Sequence, residues 1–124
     1  MAIYALTGNL VTDANDKVKG HPTIYRTFSS IKDARRYAVS QNKEKSYGLV
    51  EIKSNGMYVK GLIWWTDYPK NGKTASAWGY HTDDDLCWFI NKDGTLGRAM
   101  PYYTWRILDG KQHWYKTTHK DRRK

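Results

Sequence analysis

A chain of 124 residues with a formal net charge of +9 and one cysteine excludes several classes of protein. Its length is that of one domain, and no apolar run approaches the roughly 20 residues that span a bilayer. Because Cys87 is the single cysteine, no internal disulfide can form, and we expect a reduced, cytoplasmic setting. Residues 1–8 lack the basic and long apolar segments of a signal peptide and predict a first strand instead.

The N-terminal residues before the helix predict two strands separated by a turn region. Residues Ala2–Thr7 and Thr23–Phe28 have the composition of short strands. Residues 8–21 hold several Asn, Asp and Gly, which favour turns, so they predict a loop or a loose hairpin. Leu10 and Val11 are expected to extend the first strand.

One helix is predicted over Ser29–Gln41. Ser30 is a favourable N-cap, and Asp33 follows three residues later, close to the pattern of a capping box. Apolar residues recur at helical spacing from Ile31 to Val39, so about three turns of helix can cover one face of a sheet.

The longest apolar run, Met57–Thr66, predicts the central strand of the fold. Gly48–Lys53 is a second strand candidate, and Asn55-Gly56 has the composition of a two-residue hairpin turn with positive φ at both positions. Trp64 and Trp65 are adjacent and therefore point to opposite faces of the strand. One of them can fill the core while the other stays available to a partner.

The C-terminal half predicts further short strands joined by turns. Asp67–Thr74 contains Pro69 and Asn71-Gly72 and is predicted to be a long hairpin loop. The predicted strands after it are Ala75–Thr82, Leu86–Ile90, Thr95–Met100 and Tyr102–Leu108, and the turn Asp109-Gly110 joins the last of these to Lys111–Lys116. Leu86–Ile90 is the most apolar of these strands and is expected to be buried.

Together these elements predict an α+β fold, with a mostly antiparallel sheet of about six to seven strands and one helix packed on a face. Residues 1–116 are expected to form a single compact domain, and residues 117–124 a basic C-terminal tail. No internal repeat or low-complexity segment divides the chain.

Positive charge is concentrated toward the C-terminus. Between Lys111 and Lys124 the chain has six Lys or Arg residues and one Asp. A two-stranded ribbon with a trailing cationic arm can lie along a phosphate backbone, although a solvated terminus can be basic without any partner. The nucleic-acid-binding residues predicted here are Arg106, Lys111, His113, Trp114, Lys116, Lys120, Arg122, Arg123 and Lys124.

Further contacts to nucleic acid are predicted on the helix and beside the central strand. Aromatic side chains stack on bases or on sugars when exposed, and fill the core when buried. Tyr68, next to Pro69, is the aromatic residue most expected at a binding surface. The residues predicted for this part of the interface are Lys32, Arg35, Arg36, Trp65, Tyr68, Lys70 and Lys73.

No motif in the chain predicts a catalytic residue, a cofactor or a bound metal. His81 and Asp83–Asp85 have the chemistry to hold a divalent cation, but neighbouring side chains on a strand diverge, and a polar turn is the favoured interpretation. Glu51 and Lys53 share a strand face, as in metal-dependent nucleases of the restriction-endonuclease type, which need a further acid, here Asp67 or one of Asp83–Asp85. Alternating charge on the outer face of a strand is the commoner origin of this pattern.

The segment Trp105-Arg-Ile-Leu-Asp-Gly-Lys-Gln-His-Trp-Tyr115 resembles the short Gly- and Trp-bearing hairpins of bacterial SH3-like cell-wall modules. The resemblance covers about a tenth of the chain. It implies a carbohydrate- or cell-wall-binding module that uses Trp and Tyr side chains as a platform.

The sequence favours a small, basic, non-catalytic protein that binds nucleic acid or a nucleoprotein complex, in an accessory or inhibitory role of the kind mobile elements encode. A carbohydrate-binding module is the first alternative, and a small Mg²⁺-dependent nuclease is the second. We expect no cofactor and no membrane partner. The oligomeric state and a protein partner stay open.

Overall fold

The computed structural model describes residues 2–41, 45–70, 73–81 and 86–101. In these ranges the chain forms short N-terminal strands, one helix, and then a run of longer strands. The elements are β1 Ile3–Thr7, β2 Val11–Thr12, β3 Val18–Lys19, β4 Ile24–Phe28, α1 Ile31–Ser40, β5 Tyr47–Lys53, β6 Gly56–Lys70, β7 Lys73–His81, β8 Leu86–Ile90 and β9 Leu96–Pro101.

Seven of the strands form one sheet in the order β4-β1-β5-β6-β7-β8-β9, with every pairing antiparallel. From β5 onward each strand pairs with the next one along the chain, which is the arrangement that short turns allow. Strands β2 and β3 form a separate small hairpin. The predicted α+β fold, with one helix and a mostly antiparallel sheet, is confirmed.

Helix α1 begins where the sequence places its start. The Ser30 hydroxyl accepts a hydrogen bond from the Asp33 backbone N–H at 3.1 Å, which satisfies one of the free donors of the first turn. Ala34 and Ala38 are fully buried against the sheet. Among the described residues this is the one helix, and its ten residues are too few and too polar to cross a membrane.

The main core lies between α1 and the sheet. It is built from aliphatic and aromatic side chains of β1, β5, β6, β7 and β8, together with the two helix alanines. Its buried members are Leu6, Ala34, Ala38, Tyr47, Leu49, Ile63, Trp78, Tyr80 and Ile90.

A smaller core lies on the opposite face of the sheet, under the β2–β3 hairpin. The expectation that Leu10 and Val11 extend β1 is wrong, because β1 ends at Thr7. Leu10 instead is buried over Gly48, where an added Cβ would lie 2.5 Å from its Cδ1 atom. Leu10 thus fills the space that the missing side chain of Gly48 leaves.

The turn between β5 and β6 lies one residue earlier than predicted. Lys53 pairs with Gly56, so Ser54 and Asn55 are the two central residues of the turn. Neither residue has positive φ, whereas Gly56 has φ of 141°. Glycine is therefore required at the first residue of β6 rather than inside the turn.

Strands β6 and β7 continue together well beyond the rest of the sheet. The last pairs that join them to neighbouring strands are Tyr47 with Ile63 and Gly79 with Phe89. The pairing of β6 with β7 runs on to Lys70 and Lys73. The two strands thus form a ribbon, which we call the β6–β7 arm, that projects from the sheet.

Strand β8 is less buried than its composition predicts. Cys87 and Ile90 are buried, Trp88 is half-buried and Leu86 is exposed. The strand lies next to the outermost described strand, β9, where fewer neighbours cover each side chain. Pro101 is the last residue of β9 and pairs with Leu86.

Candidate nucleic-acid interface

Two of the helix cations predicted to bind nucleic acid lie at the surface. Lys32 is exposed. Arg36 is exposed as well and lies 3.1 Å from the Asp33 carboxylate, one turn earlier on the helix. An exposed pair of this kind contributes about 0–1 kcal/mol, so Arg36 can exchange its partner for a phosphate at little cost.

Arg35 is half-buried and joins the helix to the turn between β8 and β9. Its Nε–H donates to the Gly94 carbonyl at 2.7 Å, and its guanidinium carbon lies 5.2 Å from the centre of the Tyr80 ring. Desolvation by burial lowers the pKa of Arg35. In the free protein this cation is therefore a structural link, and its predicted contact with nucleic acid stays a prediction.

The ring of Tyr80 makes the stability of the fold sensitive to high pH. Its hydroxyl donates to the Lys60 carbonyl at 2.9 Å, and burial raises the pKa of Tyr80 to about 12. The folded protein favours the neutral phenol, which is why the pKa is raised. The stability that the Tyr80 hydroxyl contributes is therefore complete below about pH 10 and is lost as the pH rises toward 12. We expect the free energy of unfolding of wild type to fall toward that of Tyr80→Phe over this range, as measured by urea unfolding. Parallel pH profiles for the two proteins would contradict the assignment.

The β6–β7 arm contains four of the predicted residues, which are Trp65, Tyr68, Lys70 and Lys73. The prediction that Tyr68 and Pro69 lie in a loop is wrong, because both are in β6, paired with Ala75 and Thr74. Proline is tolerated there because, within the described residues, β6 has no second neighbouring strand at this level. Lys70 and Lys73 form the last described pair of the arm.

Trp64 and Trp65 lie on opposite faces of β6, as predicted. Trp64 is only 2% exposed and covers Gly79 of the neighbouring strand. Trp65 is half-buried and packs against the helix-side core, opposite Trp78. Part of the Trp65 indole thus remains accessible to a partner.

The predicted residues of the C-terminal part of the chain lie outside the described residues. There are nine of them: Arg106, Lys111, His113, Trp114, Lys116, Lys120, Arg122, Arg123 and Lys124.

The structure brings together a group of aromatic and cationic side chains that the sequence did not predict. The Lys45 ammonium lies 3.9 Å from the ring centre of Tyr25, which is 45% exposed, and 5.5 Å from that of Tyr47. The Tyr25 ring packs edge-on against Tyr47 at 5.8 Å, and Tyr47 stacks on Trp78 at 6.4 Å. We call Tyr25, Lys45, Tyr47 and Trp78 the aromatic row.

A second cation lies beside the aromatic row. The guanidinium of Arg26 is 4.7 Å from the ring centre of Tyr37 and 5.9 Å from that of Phe28. Arg26 is exposed, on the edge strand β4, and Tyr37 belongs to α1. The helix-bearing face therefore carries a cation held over aromatic rings on two adjacent elements.

No short segment of the sequence predicts the aromatic row, because its members lie on three strands and the loop before one of them. The contact between Tyr25 and Tyr47 depends on a β-bulge in β4. Leu6 pairs with Arg26 and Thr7 with Ile24, so Tyr25 is an extra residue in β4. The only local signal is the clustering of Tyr and Lys in Tyr25-Arg26 and in Lys45-Ser-Tyr47.

A groove of about 720 Å³ lies at the Trp78 end of the aromatic row. It lies where β8 stops pairing with β7, so that β7 continues without this neighbour. Trp78 and Phe89 contribute aromatic surface, and the C-terminal residues of α1, Val39 and Ser40, form another wall. Lys92, in the turn after β8, supplies a cation.

The acidic residues considered for a metal site are arranged differently. Glu51 is paired with Lys60 at 3.0 Å. In the part of the chain that the structure describes, no group of three or more His, Cys, Asp or Glu side chains is placed to hold a metal ion. Asp83–Asp85 lie outside the described residues.

Cys87 is buried, as predicted, and burial raises the pKa of its thiol, so Cys87 is a structural residue.

The fold and this surface define a small basic α+β protein with an aromatic and cationic helix-bearing face. Comparisons of the chain with models of known protein families, with curated proteins and with solved structures found no match.

Proposed function

We propose that this protein binds nucleic acid, alone or within a nucleoprotein complex, as a non-catalytic accessory or inhibitory protein. The observation that carries the proposal is the placement of Lys45 over the exposed ring of Tyr25, at one end of the aromatic row. A cation and a stacking surface side by side match the alternation of phosphate and base along a nucleic-acid chain.

The overall charge supports the same proposal. The net charge of +9 attracts a polyanion over distances beyond direct contact. On the helix-bearing side, Arg26, Lys32, Lys45 and Lys92 lie at or near the surface, and the Asp33 carboxylate is paired with Arg36. This surface can therefore approach phosphates without an unpaired acid from α1 opposing them.

The chain contains a matched control for the aromatic row. Lys53 lies 5.1 Å from the ring centre of Tyr58 at the β5–β6 turn, so this pair has the same two residue types and the same charge as Lys45 with Tyr25. We expect the double variant Tyr25→Ala, Lys45→Ala to lose about tenfold in affinity for labelled DNA or RNA, from one lost stacking contact and one lost cation. The double variant Lys53→Ala, Tyr58→Ala is expected to lose much less.

Fluorescence anisotropy with single- and double-stranded oligonucleotides measures both variants directly. Equal losses in the two variants would show that binding is a general effect of charge and is not centred on the aromatic row. Failure of the wild-type protein to bind any of the oligonucleotides would refute the proposed function as a whole.

The basic tail provides an independent test. Removal of Lys120–Lys124 eliminates four cations and one acid from residues 117–124, which are predicted to lie outside the compact domain. We expect weaker binding to polyanions because fewer counterions are released, with an unchanged melting temperature. An unchanged affinity would remove the tail from the interface, and a lowered melting temperature would show that it belongs to the fold.

We further propose that the protein acts in the cytoplasm. The single cysteine supports this location, because the chain does not rely on a disulfide of its own for stability.

A further inference from the structure

The groove at the end of the aromatic row has a specific chemical lining. Phe89, which is half-buried, provides flat aromatic surface, the buried Trp78 contributes the edge of its ring, and Val39 and Ile90 provide aliphatic surface. The guanidinium of Arg98 lies 5.3 Å from the ring centre of Phe89 and fixes that ring from β9. These surfaces favour a flat, apolar group with a π-face.

The groove has negative partial charge at one wall and a positive charge at another. Helix α1 ends at Ser40, and the carbonyl groups at a helix C-terminus carry a partial negative charge, which favours hydrogen-bond donors. Lys92 brings a positive charge to the groove. The neighbouring Asp93 carboxylate accepts hydrogen bonds from the Thr95 hydroxyl at 2.6 Å and from the Thr95 backbone N–H at 2.9 Å, so it is held within its own turn.

We propose that this groove takes one unpaired nucleotide of a single strand, with the base stacked on Phe89 beside the edge of Trp78 and a phosphate at Lys92. The inference rests on the proposed function and deepens it, because it gives the protein a preference for single strands over duplexes. A base has the flat π-face and the N–H donors that the lining favours, and a neighbouring phosphate has the charge that Lys92 favours.

The dimensions and the position of the groove agree with this occupant. A volume of about 720 Å³ lies within the range of sites for small organic molecules and holds one nucleotide. The groove is continuous with the aromatic row through Trp78, which stacks on Tyr47. A strand that passes over Tyr25 and Lys45 can therefore reach the groove along one face of the sheet. A base within a duplex cannot enter, because it is paired and stacked on both sides.

Photocrosslinking tests the position of the base. A single-stranded oligonucleotide that carries 5-iodouracil is irradiated in complex with the full-length protein, and the crosslinked peptides are sequenced by mass spectrometry. Trypsin is expected to release residues 74–92 as one peptide that contains both Trp78 and Phe89. We expect the crosslink at one of these two residues. Crosslinks confined to other aromatic residues, in a protein that binds the strand, would overturn the groove proposal and leave the proposed function intact.

Substitutions test the preference for single strands. We expect Phe89→Leu to lower the affinity for a single strand about tenfold and to leave duplex affinity unchanged, because one stacking contact is lost. Lys92→Ala, at an exposed position where folding is not in question, is expected to weaken single-strand binding more than Lys19→Ala. Lys19 is its matched control, an exposed lysine on the β2–β3 hairpin at the opposite face. Equal effects of the two lysine variants, or equal loss of single-strand and duplex binding in Phe89→Leu, would overturn the proposal.

Discussion

The variant Trp64→Ala is expected to lose about 3–5 kcal/mol of unfolding free energy, the usual cost of truncating a buried tryptophan. Trp64 is 2% exposed and lies against Gly79 of β7, where an added Cβ would overlap the indole ring. The ring occupies the space that the glycine leaves. Its removal therefore creates a cavity in the middle strand of the sheet.

Urea unfolding followed by circular dichroism measures this loss, and the neighbouring tryptophan is the matched control. Trp65 has the same side chain on the same strand, but it is half-buried on the opposite face. We expect Trp65→Ala to lose only about 1–2 kcal/mol. Equal losses for the two variants would contradict the assignment of Trp64 to the core and of Trp65 to a partly open surface.

The second large effect is expected for Gly94→Ala, at about 2–4 kcal/mol. Gly94 has φ of 90°, a conformation that L side chains rarely adopt. An added Cβ would also overlap the Lys32 carbonyl and lie 2.9 Å from the Arg36 backbone nitrogen, so the first turns of α1 would have to move. The hydrogen bond from Arg35 to the Gly94 carbonyl would be strained at the same time.

Gly20 separates the two causes of this loss. It has φ of 73°, but an added Cβ there would meet no atom within 4 Å. Gly20→Ala is therefore expected to cost about 1–2 kcal/mol, from backbone strain alone. The difference between the two variants in urea unfolding measures the contact of the turn with the helix. Equal costs would show that the helix does not press on this turn.

The sequence predicts the elements of this fold wherever the signal is local. The helix is set by the Ser30 cap and by apolar residues at helical spacing. The β5–β6 hairpin is predicted by two apolar runs around Ser54–Gly56, although the turn is shifted by one residue. The helix and the hairpin depend on a few neighbouring residues, so a single sequence is enough to predict them.

Prediction from the sequence pattern fails where contacts between distant residues outweigh the local composition. Pro69 and the polar residues around it predict a loop, but the long pairing of β6 with β7 keeps Tyr68 and Pro69 in a strand. Leu10 follows a strand in sequence but leaves it to cover Gly48. In both cases the deciding contact joins residues far apart in the chain, and periodicity does not reveal it.

The candidate site is the least predictable part of the molecule. The contact between Tyr25 and Tyr47 depends on a β-bulge, and the groove depends on where β8 stops beside β7. Arg35 was predicted as a phosphate ligand from its charge, and only the structure shows its bond to Gly94. Charge and aromatic content thus indicate a kind of ligand, whereas the position of the site requires the register of the sheet.

The salt dependence of binding tests the central claim most directly. The affinity of the full-length protein for a labelled single-stranded oligonucleotide is measured by anisotropy at about 50 and about 200 mM salt. Binding through phosphates predicts a steep fall, by about 10³–10⁵ for six to ten contacts, with a linear relation between the logarithms of affinity and salt concentration. Affinity that does not change with salt, as stacking on a sugar would give, or no binding at the lower salt concentration would contradict the claim.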